Sequence, residues 1–229
     1  MHAIAYIVLW SSLTLAGCSS QSEPASAQAP AAGIGAAGAQ APRIAATGEV
    51  PQAAGALESH ELAGLLPDGA TLVDSLAGDL TGRHLREGVL VVEAPGNITS
   101  SAVGTGLART VILLVRDGSG RLLTAAKNDR LVPCADCGGM AGDPYGYTRV
   151  ESGELTISIS GGSRERWFAD YVFRYRSQHE NWELERVERG VTDTHTDLRK
   201  HQTLTTADFG EVVFADFDPR TLPPAPSTD

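Results

Sequence analysis

The chain has 229 residues and a formal net charge of −10, from 18 basic and 28 acidic residues. This length suits one ordinary domain with additional segments, and 42% hydrophobic residues is a composition typical of globular proteins. Nucleic-acid binding requires Lys and Arg to neutralise phosphates, so the acidic balance argues against a nucleic-acid partner. The charge is also unevenly distributed, because residues 1–17 contain no Asp, Glu, Lys or Arg.

The first segment is typical of an export signal. Residues 3–15 form an apolar run that is shorter than the roughly 20 residues a membrane-spanning helix needs. The run ends in Leu15-Ala16-Gly17-Cys18, which resembles the lipobox of bacterial lipoproteins. The resemblance implies that residues 1–17 are a signal peptide, that Cys18 carries acyl chains as a membrane anchor, and that Ser19 directs the protein to the outer membrane. The alternative is an uncleaved apolar terminus or a buried first helix.

A linker is expected to follow the signal. Residues 18–57 are rich in Ala, Gly, Pro, Ser and Gln and contain no aromatic residue, so they cannot bury enough apolar surface to fold. Their charged residues are Glu23, Arg43 and Glu49. Removing these three leaves 17 basic and 26 acidic residues, a net charge of −9, in the rest of the chain. We expect a globular domain at 58–220 and a disordered tail at 221–229.

The domain is predicted to be all-β, an antiparallel sandwich or an incomplete barrel, because short apolar runs alternate with turn residues. The predicted strands are 89–93, 110–116, 121–125, 147–150, 155–159, 167–176, 182–187, 190–200 and 212–214. Turn residues at 117–120 and 151–154 predict hairpins. Short helical turns are predicted at 59–66 and 206–209.

Cys134 and Cys137 form a CxxC pair, a pattern found in disulfides, redox centres and zinc sites. Gly138 and Gly139 follow where a thioredoxin-like centre would begin a helix, and no helix is predicted downstream. The sequence contains no second CxxC and no close His pair to complete a zinc site. Because exported proteins meet oxidising conditions, a structural disulfide that shapes the loop 138–146 is favoured over the redox and metal alternatives.

Asp193, His195 and Asp197 alternate with threonines, so on a strand their side chains would share one face. That face is a candidate divalent-cation site. A solvent-facing strand edge, whose charges discourage aggregation, is the favoured alternative. The sequence also contains no nucleophile elbow, no Gly-rich phosphate loop and no HExxH motif. We therefore predict no catalytic residue, no metal site and no cofactor.

Residues 74–87 resemble a degenerate form of the calcium loop in FG-GAP-like repeats. In those repeats acidic or amide ligands stand at alternating positions before a hydrophobic strand. In this resemblance Asp79, Thr81 and Glu87 occupy ligand positions. Arg83 stands where an acid is expected, and its positive charge would repel calcium. We therefore expect the loop to have lost its metal.

The stretch 117–188 resembles a group of uncharacterised bacterial envelope proteins. The resemblance is carried by NDRLVPCADCGGMAGDPYG at 128–146, by ISGGSRERWFADYVFRY at 159–175 and by the strand that begins at Trp182. The group has no agreed activity, so the resemblance implies an envelope location and no particular reaction.

Four aromatic residues are candidates for a binding surface, with core packing as the favoured alternative: Trp167, Tyr171, Tyr175 and Trp182. The leading hypothesis is a lipid-anchored, non-enzymatic β-domain of the outer membrane that binds a protein or glycan partner. A lysozyme-inhibitor-like role is compatible with the acidity, because lysozymes are commonly basic and opposite charge speeds encounter. The alternatives are an envelope hydrolase or redox enzyme, acting through the CxxC loop or the Asp193-His195-Asp197 face, and a purely structural envelope protein.

Overall fold

The structure, a computed structural model, describes residues 55–95 and 106–228. The predicted signal peptide, the Cys18 lipidation site and residues 18–54 of the predicted linker lie outside the described residues. Leu57, the last residue of the predicted linker, is buried, so it belongs to the globular domain.

Two antiparallel sheets make up the fold, and within each sheet the strands follow chain order. The first sheet contains β1 (Thr71–Gly78), β2 (Glu87–Glu93), β3 (Arg109–Arg116) and β4 (Leu122–Val132). The second sheet contains β5 (Tyr145–Glu151), β6 (Glu154–Gly162), β7 (Glu165–Arg176), β8 (Asn181–Asp193) and β9 (Arg199–Thr205). The predicted all-β sandwich is confirmed, and the two sheets do not close into a barrel.

The structure differs from the predicted strands at four places. β4 continues to Val132, beyond the predicted end at 125. β1 was not predicted and includes residues 74–78 of the calcium-like loop, because a bulge between Leu72 and Asp74 interrupts its alternation. The predicted strand 190–200 is the end of β8 and the start of β9, joined by a turn. Residues 212–214 form only an isolated bridge, between Val213 and Glu183.

The central part of the first sheet is buried on both faces, and every residue of β2 is buried. One face packs against the second sheet through alternate residues of β2 and β3: Val89, Val91, Val111 and Leu113. The other face is covered by residues 57–66, whose hydrogen-bonded turns replace the helical turn predicted at 59–66. This second cluster joins Leu57, Leu62, Leu65 and Leu66 to Leu90, Val92, Ile112 and Leu114. Each such side chain contributes about 1.5–3 kcal/mol on full burial.

An ion pair between the buried Arg109 and the exposed Asp143 holds the connection between the sheets, residues 133–144. Arg109 at the start of β3 is 3% exposed, and its two terminal nitrogens each donate to one carboxylate oxygen of Asp143 at 2.7 Å. A carboxylate oxygen of Glu93 lies 3.7 Å from the same guanidinium. Because Asp143 stands just before β5, the pair positions the start of the second sheet on the first.

The chain beyond β9 also packs on the second sheet. The predicted turn at 206–209 is a one-turn helix, α1 (Thr206–Phe209), followed by a segment that carries two buried phenylalanines. Phe214 and Phe217 meet the ring of Phe173 edge-on, with centroids 5.2 and 5.6 Å apart. Residues 222–228, which lie in the predicted disordered tail, have hydrogen-bonded contacts on this sheet that the sequence did not predict.

The covering segment 57–66 is held by a carboxylate between two arginines. Glu61 Oε2 accepts a hydrogen bond from Arg86 and Oε1 accepts one from Arg116, each at 2.6 Å. Arg116 lies on β3 and Arg86 just before β2, so the three side chains tie the segment to the first sheet. The hydrogen bond from Arg86, with that from Arg116, lowers the pKa of Glu61 to about 2 despite its partial burial.

Replacing Glu61 should therefore change how stability depends on pH. The lowered pKa means that ionised Glu61 stabilises the fold above its ordinary pKa of 4.5, and that this contribution is lost as the pH falls towards 2. We expect Glu61→Gln to reduce the free energy of unfolding near neutral pH. The difference in this free energy between variant and wild type should become smaller as the pH falls from 4.5 towards 2. Urea unfolding across the range measures this difference. A Glu58→Gln control should show no such trend, and a Glu61→Gln difference that is constant with pH would contradict the assignment.

Candidate functional site

The predicted aromatic binding residues lie on the inner side of the second sheet. Tyr171 is 5% exposed and Trp182 is 2% exposed, and the Trp182 indole donates to the Leu80 carbonyl at 2.9 Å. Trp167 and Tyr175 are partly buried against the same core. The proposed surface of Tyr171 and Trp182 is therefore wrong, because their strand phase directs these side chains between the sheets.

The opposite face of the second sheet carries a different set of residues, three of which are exposed and one of which, Asp170, is partly buried. We call Tyr147, Phe168, Asp170 and His201 the outer patch. Tyr147 is 47% exposed and Phe168 is 37% exposed, although both are large and aromatic. Phe168 and Asp170 alternate along β7 with the inward-facing Ala169 and Tyr171, so strand geometry places them on the solvent side.

Gly190 allows the Phe168 ring to lie against the sheet. The two residues are direct partners across β7 and β8, and a Cβ at Gly190 would lie 2.6 Å from Cε1 of the ring. The His201 ring lies beside it on β9, with centroids 5.7 Å apart and planes inclined by 31°. The glycine thus leaves room for an aromatic ring that presents its other side to solvent, the arrangement needed for stacking on a flat ligand.

Asp170 supplies an unused acceptor within the outer patch. Its Oδ1 atom is buried and has no hydrogen-bond partner among the described residues. Its partners across the neighbouring strands are Ser158 and Glu188. An unsatisfied buried acceptor costs about 1–3 kcal/mol, so rotation of the carboxylate that brought Oδ1 to a ligand donor would recover part of this cost.

The outer patch extends across several strands. Ser158 pairs with Tyr147 on one side and with Asp170 on the other, so Tyr147 and β7 are separated by two strand spacings, about 10 Å. This separation is comparable with two linked sugar rings. At the other end of the same face, Arg174 is ion-paired with Glu154 and Glu185. We call these ion pairs the ion-pair ladder. The ladder occupies one end of the face, and the aromatic side chains of the outer patch occupy the other end.

The two cysteines of the CxxC motif close the turn between them. The sulfurs of Cys134 and Cys137 are 2.12 Å apart, within disulfide distance, and Cys134 is buried. A short 3₁₀ helix follows at Ala135–Ala141, where no helix was predicted. The Gly138 carbonyl lies close to β6, since a Cβ at Gly161 would approach it to 2.9 Å. The loop therefore packs on the edge of the second sheet, near Trp167.

The acidic strand face predicted at 193–197 is not formed. β8 ends at Asp193, whose Oδ1 accepts the amide hydrogens of His195 at 2.7 Å and Thr196 at 3.0 Å. Arg164 lies 2.6 Å from Oδ2, and its hydrogen bond lowers the pKa of Asp193 to about 2. A sequence in which Asp and Thr alternate is compatible with a turn capped by a side chain as well as with a strand. For this reason residues 193–197 were predicted to be a strand. No group of three or more metal-ligating side chains occurs in the described parts of the chain.

The calcium-like loop is organised around an arginine. Glu87 is fully buried, and its Oε2 accepts hydrogen bonds from the Thr81 amide at 2.9 Å and hydroxyl at 2.8 Å. Arg83 donates to Glu87 Oε1 at 3.1 Å and to the Thr81 hydroxyl at 2.9 Å. The guanidinium thus neutralises the buried acid. Asp79 has no hydrogen-bond partner for its carboxylate within 55–95 and 106–228, and the His84 ring nitrogen lies 3.7 Å away.

Comparison of the chain with protein-family models, with curated proteins and with solved structures finds no match. Among the residues described, no helix has both the length and the apolar character needed to cross a membrane.

The sequence did contain a signal for the outer patch. Phe168 lies between Arg166 and Asp170 on one phase of β7, and Tyr147 lies on the phase of β5 opposite to the buried Val150. A large aromatic side chain on the solvent phase of a strand is a better indicator of a binding face than one on the buried phase.

Filling the space at Gly190 should disturb the outer patch. Gly190→Ala would place a methyl group 2.6 Å from the Phe168 ring and 2.9 Å from the Lys200 carbonyl. We expect a loss of about 1–3 kcal/mol in the free energy of unfolding, measured by urea titration, and a changed near-UV signal from the displaced ring. Gly118→Ala is the matched control, since nothing lies within 4 Å of its added methyl group. Equal stability of the two variants would show that the ring does not rest on Gly190.

Proposed function

We propose that this chain is a non-enzymatic glycan-binding protein of the bacterial outer membrane, anchored by lipid at Cys18. The Leu15-Ala16-Gly17-Cys18 motif supports the anchor, and the Ala- and Pro-rich segment after it supports a flexible tether to the domain. The observation that carries the binding proposal is the exposed Phe168 ring resting over Gly190, with Asp170, whose Oδ1 has no partner, two residues along the same face of β7.

The chemistry of the outer patch suits a sugar chain. Sugar rings present C–H groups that stack on the exposed rings of Phe168 and Tyr147, and hydroxyl groups that donate to Asp170. The net charge of −9 outside the leader and tether disfavours a strongly anionic polysaccharide, so the proposed ligand is a neutral or N-acetylated glycan.

A basic protein partner, with the lysozyme-inhibitor-like role as its particular form, is the second candidate. The surplus of acidic residues favours it, because many arginines already have carboxylate partners: Arg83, Arg86, Arg109, Arg116, Arg164, Arg174 and Arg186. The acids in excess remain available to attract a basic surface.

The hydrolase or redox alternative has less support, because the CxxC pair is at disulfide distance and Asp193 caps a turn.

Lipidation is tested with radiolabelled palmitate in a bacterial expression host. We expect the wild-type chain to incorporate label and to fractionate with the outer membrane, and Cys18→Ala to do neither, because only the cysteine sulfur can receive the first lipid. Ser19→Ala is the control and should still be labelled. Absence of label on the wild-type chain would refute the anchor.

Glycan binding is tested with the purified full chain. Co-sedimentation with peptidoglycan sacculi and calorimetry with a soluble chitin tetrasaccharide are the two assays. We expect Phe168→Ala and Asp170→Asn each to weaken binding about tenfold while leaving the unfolding midpoint close to that of wild type. The matched controls are Leu123→Ala and Asp136→Asn, which change an exposed apolar and an exposed acidic residue elsewhere.

Two results would overturn the glycan proposal. One is wild-type binding that the outer-patch variants leave unchanged. The other is binding to a basic lysozyme that disappears at high salt, with no binding to either glycan, which would favour the second candidate instead. Hydrolysis of the tetrasaccharide by the wild-type chain would contradict the non-enzymatic assignment.

A further inference from the structure

The segment beyond α1 has two parts with different contacts. The first part contains Phe214 and Phe217, which are fully buried in the core. The second part, residues 223–228, we call the proline strap. Pro224, Ala225 and Ser227 of the strap are exposed, so few of its side chains bury apolar surface. The strap is therefore held mainly by hydrogen bonds to its backbone, and local opening of such a segment requires little free energy.

Arg189 on β8 makes the central contact with the strap. Its side chain is 7% exposed, and its guanidinium donates to the Pro223 carbonyl at 2.7 Å and the Pro224 carbonyl at 2.8 Å. Nε donates to Gln202 Oε1 at 2.9 Å, and Nη2, which also makes both proline contacts, lies 2.8 Å from the same oxygen, so the two hydrogens of Nη2 are shared among three acceptors. Burial lowers the pKa of Arg189, because neutral oxygens compensate lost hydration less well than a carboxylate would. The guanidinium thus depends on carbonyl groups supplied by the strap.

The strap is also held at its far end. The Thr228 amide donates to Glu165 Oε1 at 2.8 Å, and the Lys200 ammonium donates to the Ser227 carbonyl. We call Glu165, Arg189, Lys200 and Gln202 the strap groove. The groove offers donors to backbone carbonyls and one acceptor to a backbone amide, so it recognises an extended main chain.

Proline suits this groove for a physical reason. A Pro-Pro step has no amide hydrogen and favours an extended polyproline conformation, so both carbonyls are free and little entropy is lost on binding. Recognition of such segments by preformed grooves is a general mode of peptide binding. Arg189 meets two successive prolines in this way.

We propose that the strap groove is a binding site for an extended, proline-rich segment of another polypeptide, and that the proline strap is its resident competitor. The site is separate from the outer patch, because Arg189 pairs with Ala169 on the inner phase of the second sheet. It is therefore independent of the proposed glycan function.

The test uses a synthetic peptide with the sequence of residues 222–228 as the probe. The chain ended after Leu222 should bind the labelled peptide, measured by fluorescence anisotropy, and the full chain should bind it at least about tenfold more weakly because its own strap competes. A peptide with Pro223 and Pro224 replaced by glycine should lose about tenfold or more in affinity, whereas Pro226→Ala in the peptide is the control. Arg189→Lys in the shortened chain, which keeps the charge and loses the planar fork, should have a similar effect.

A second measurement does not require the shortened chain to fold. Hydrogen exchange of the Thr228 amide in the full chain should accelerate when excess peptide displaces the strap from Glu165. Failure of the shortened, folded chain to bind the peptide would overturn the proposal. The proposal would also be overturned if the full chain bound the peptide as tightly as the shortened chain does, or if the glycine-substituted peptide bound as tightly as the original one. Unchanged exchange of the Thr228 amide at saturating peptide would overturn it as well.

Discussion

The ion pair between the buried Arg109 and the half-exposed Asp143 is the constraint on which the arrangement of the two sheets depends. A guanidinium that is 3% exposed loses its hydration and needs carboxylate partners with good geometry, which Asp143 supplies through two parallel hydrogen bonds of 2.7 Å. Arg109 belongs to the first sheet and Asp143 to the loop that starts the second. The Tyr145 hydroxyl adds a further link, donating to Asp74 on β1 at 2.5 Å. Together these contacts position β5, and hence the sheet that pairs onward from it.

Side chains alternate between the two faces of each strand. The position of β5 therefore determines which residues of the second sheet face the first sheet and which face away from it. Inward residues such as Tyr171 and Phe173 complete the core with Phe214 and Phe217, and Arg189 meets the strap on this side. Outward residues form the ion-pair ladder at one end and the outer patch at the other. Burial by the first sheet and the terminal segment thus leaves the outer face available for ligand contacts.

Sequence patterns predicted the strands well where apolar residues alternate, as in 155–159, and where a continuous apolar run is buried on both faces, as in 110–116. They failed at β1, where a bulge between Leu72 and Asp74 interrupts the alternation, and at Asp193, where a side chain caps a turn that has the same alternation as a strand. For Tyr171 and Trp182 they favoured core packing over a binding surface, and the structure buries both side chains. Burial depends on which phase of a strand faces the partner sheet, and that partner is distant in the sequence.

The sequence by itself determined the all-β class, the close CxxC pair and the concentration of negative charge outside residues 1–57, because these follow from local periodicity, spacing and composition. Only the tertiary structure decided which functions the surface can perform. Phe168 rests over Gly190 because strand register makes them partners, and Arg189 reaches Pro223 because the chain returns along the sheet. The first contact depends on the exact register of the β7–β8 hairpin, which contains a bulge between Val172 and Phe173, and the second joins residues 34 apart, so local sequence patterns do not predict either.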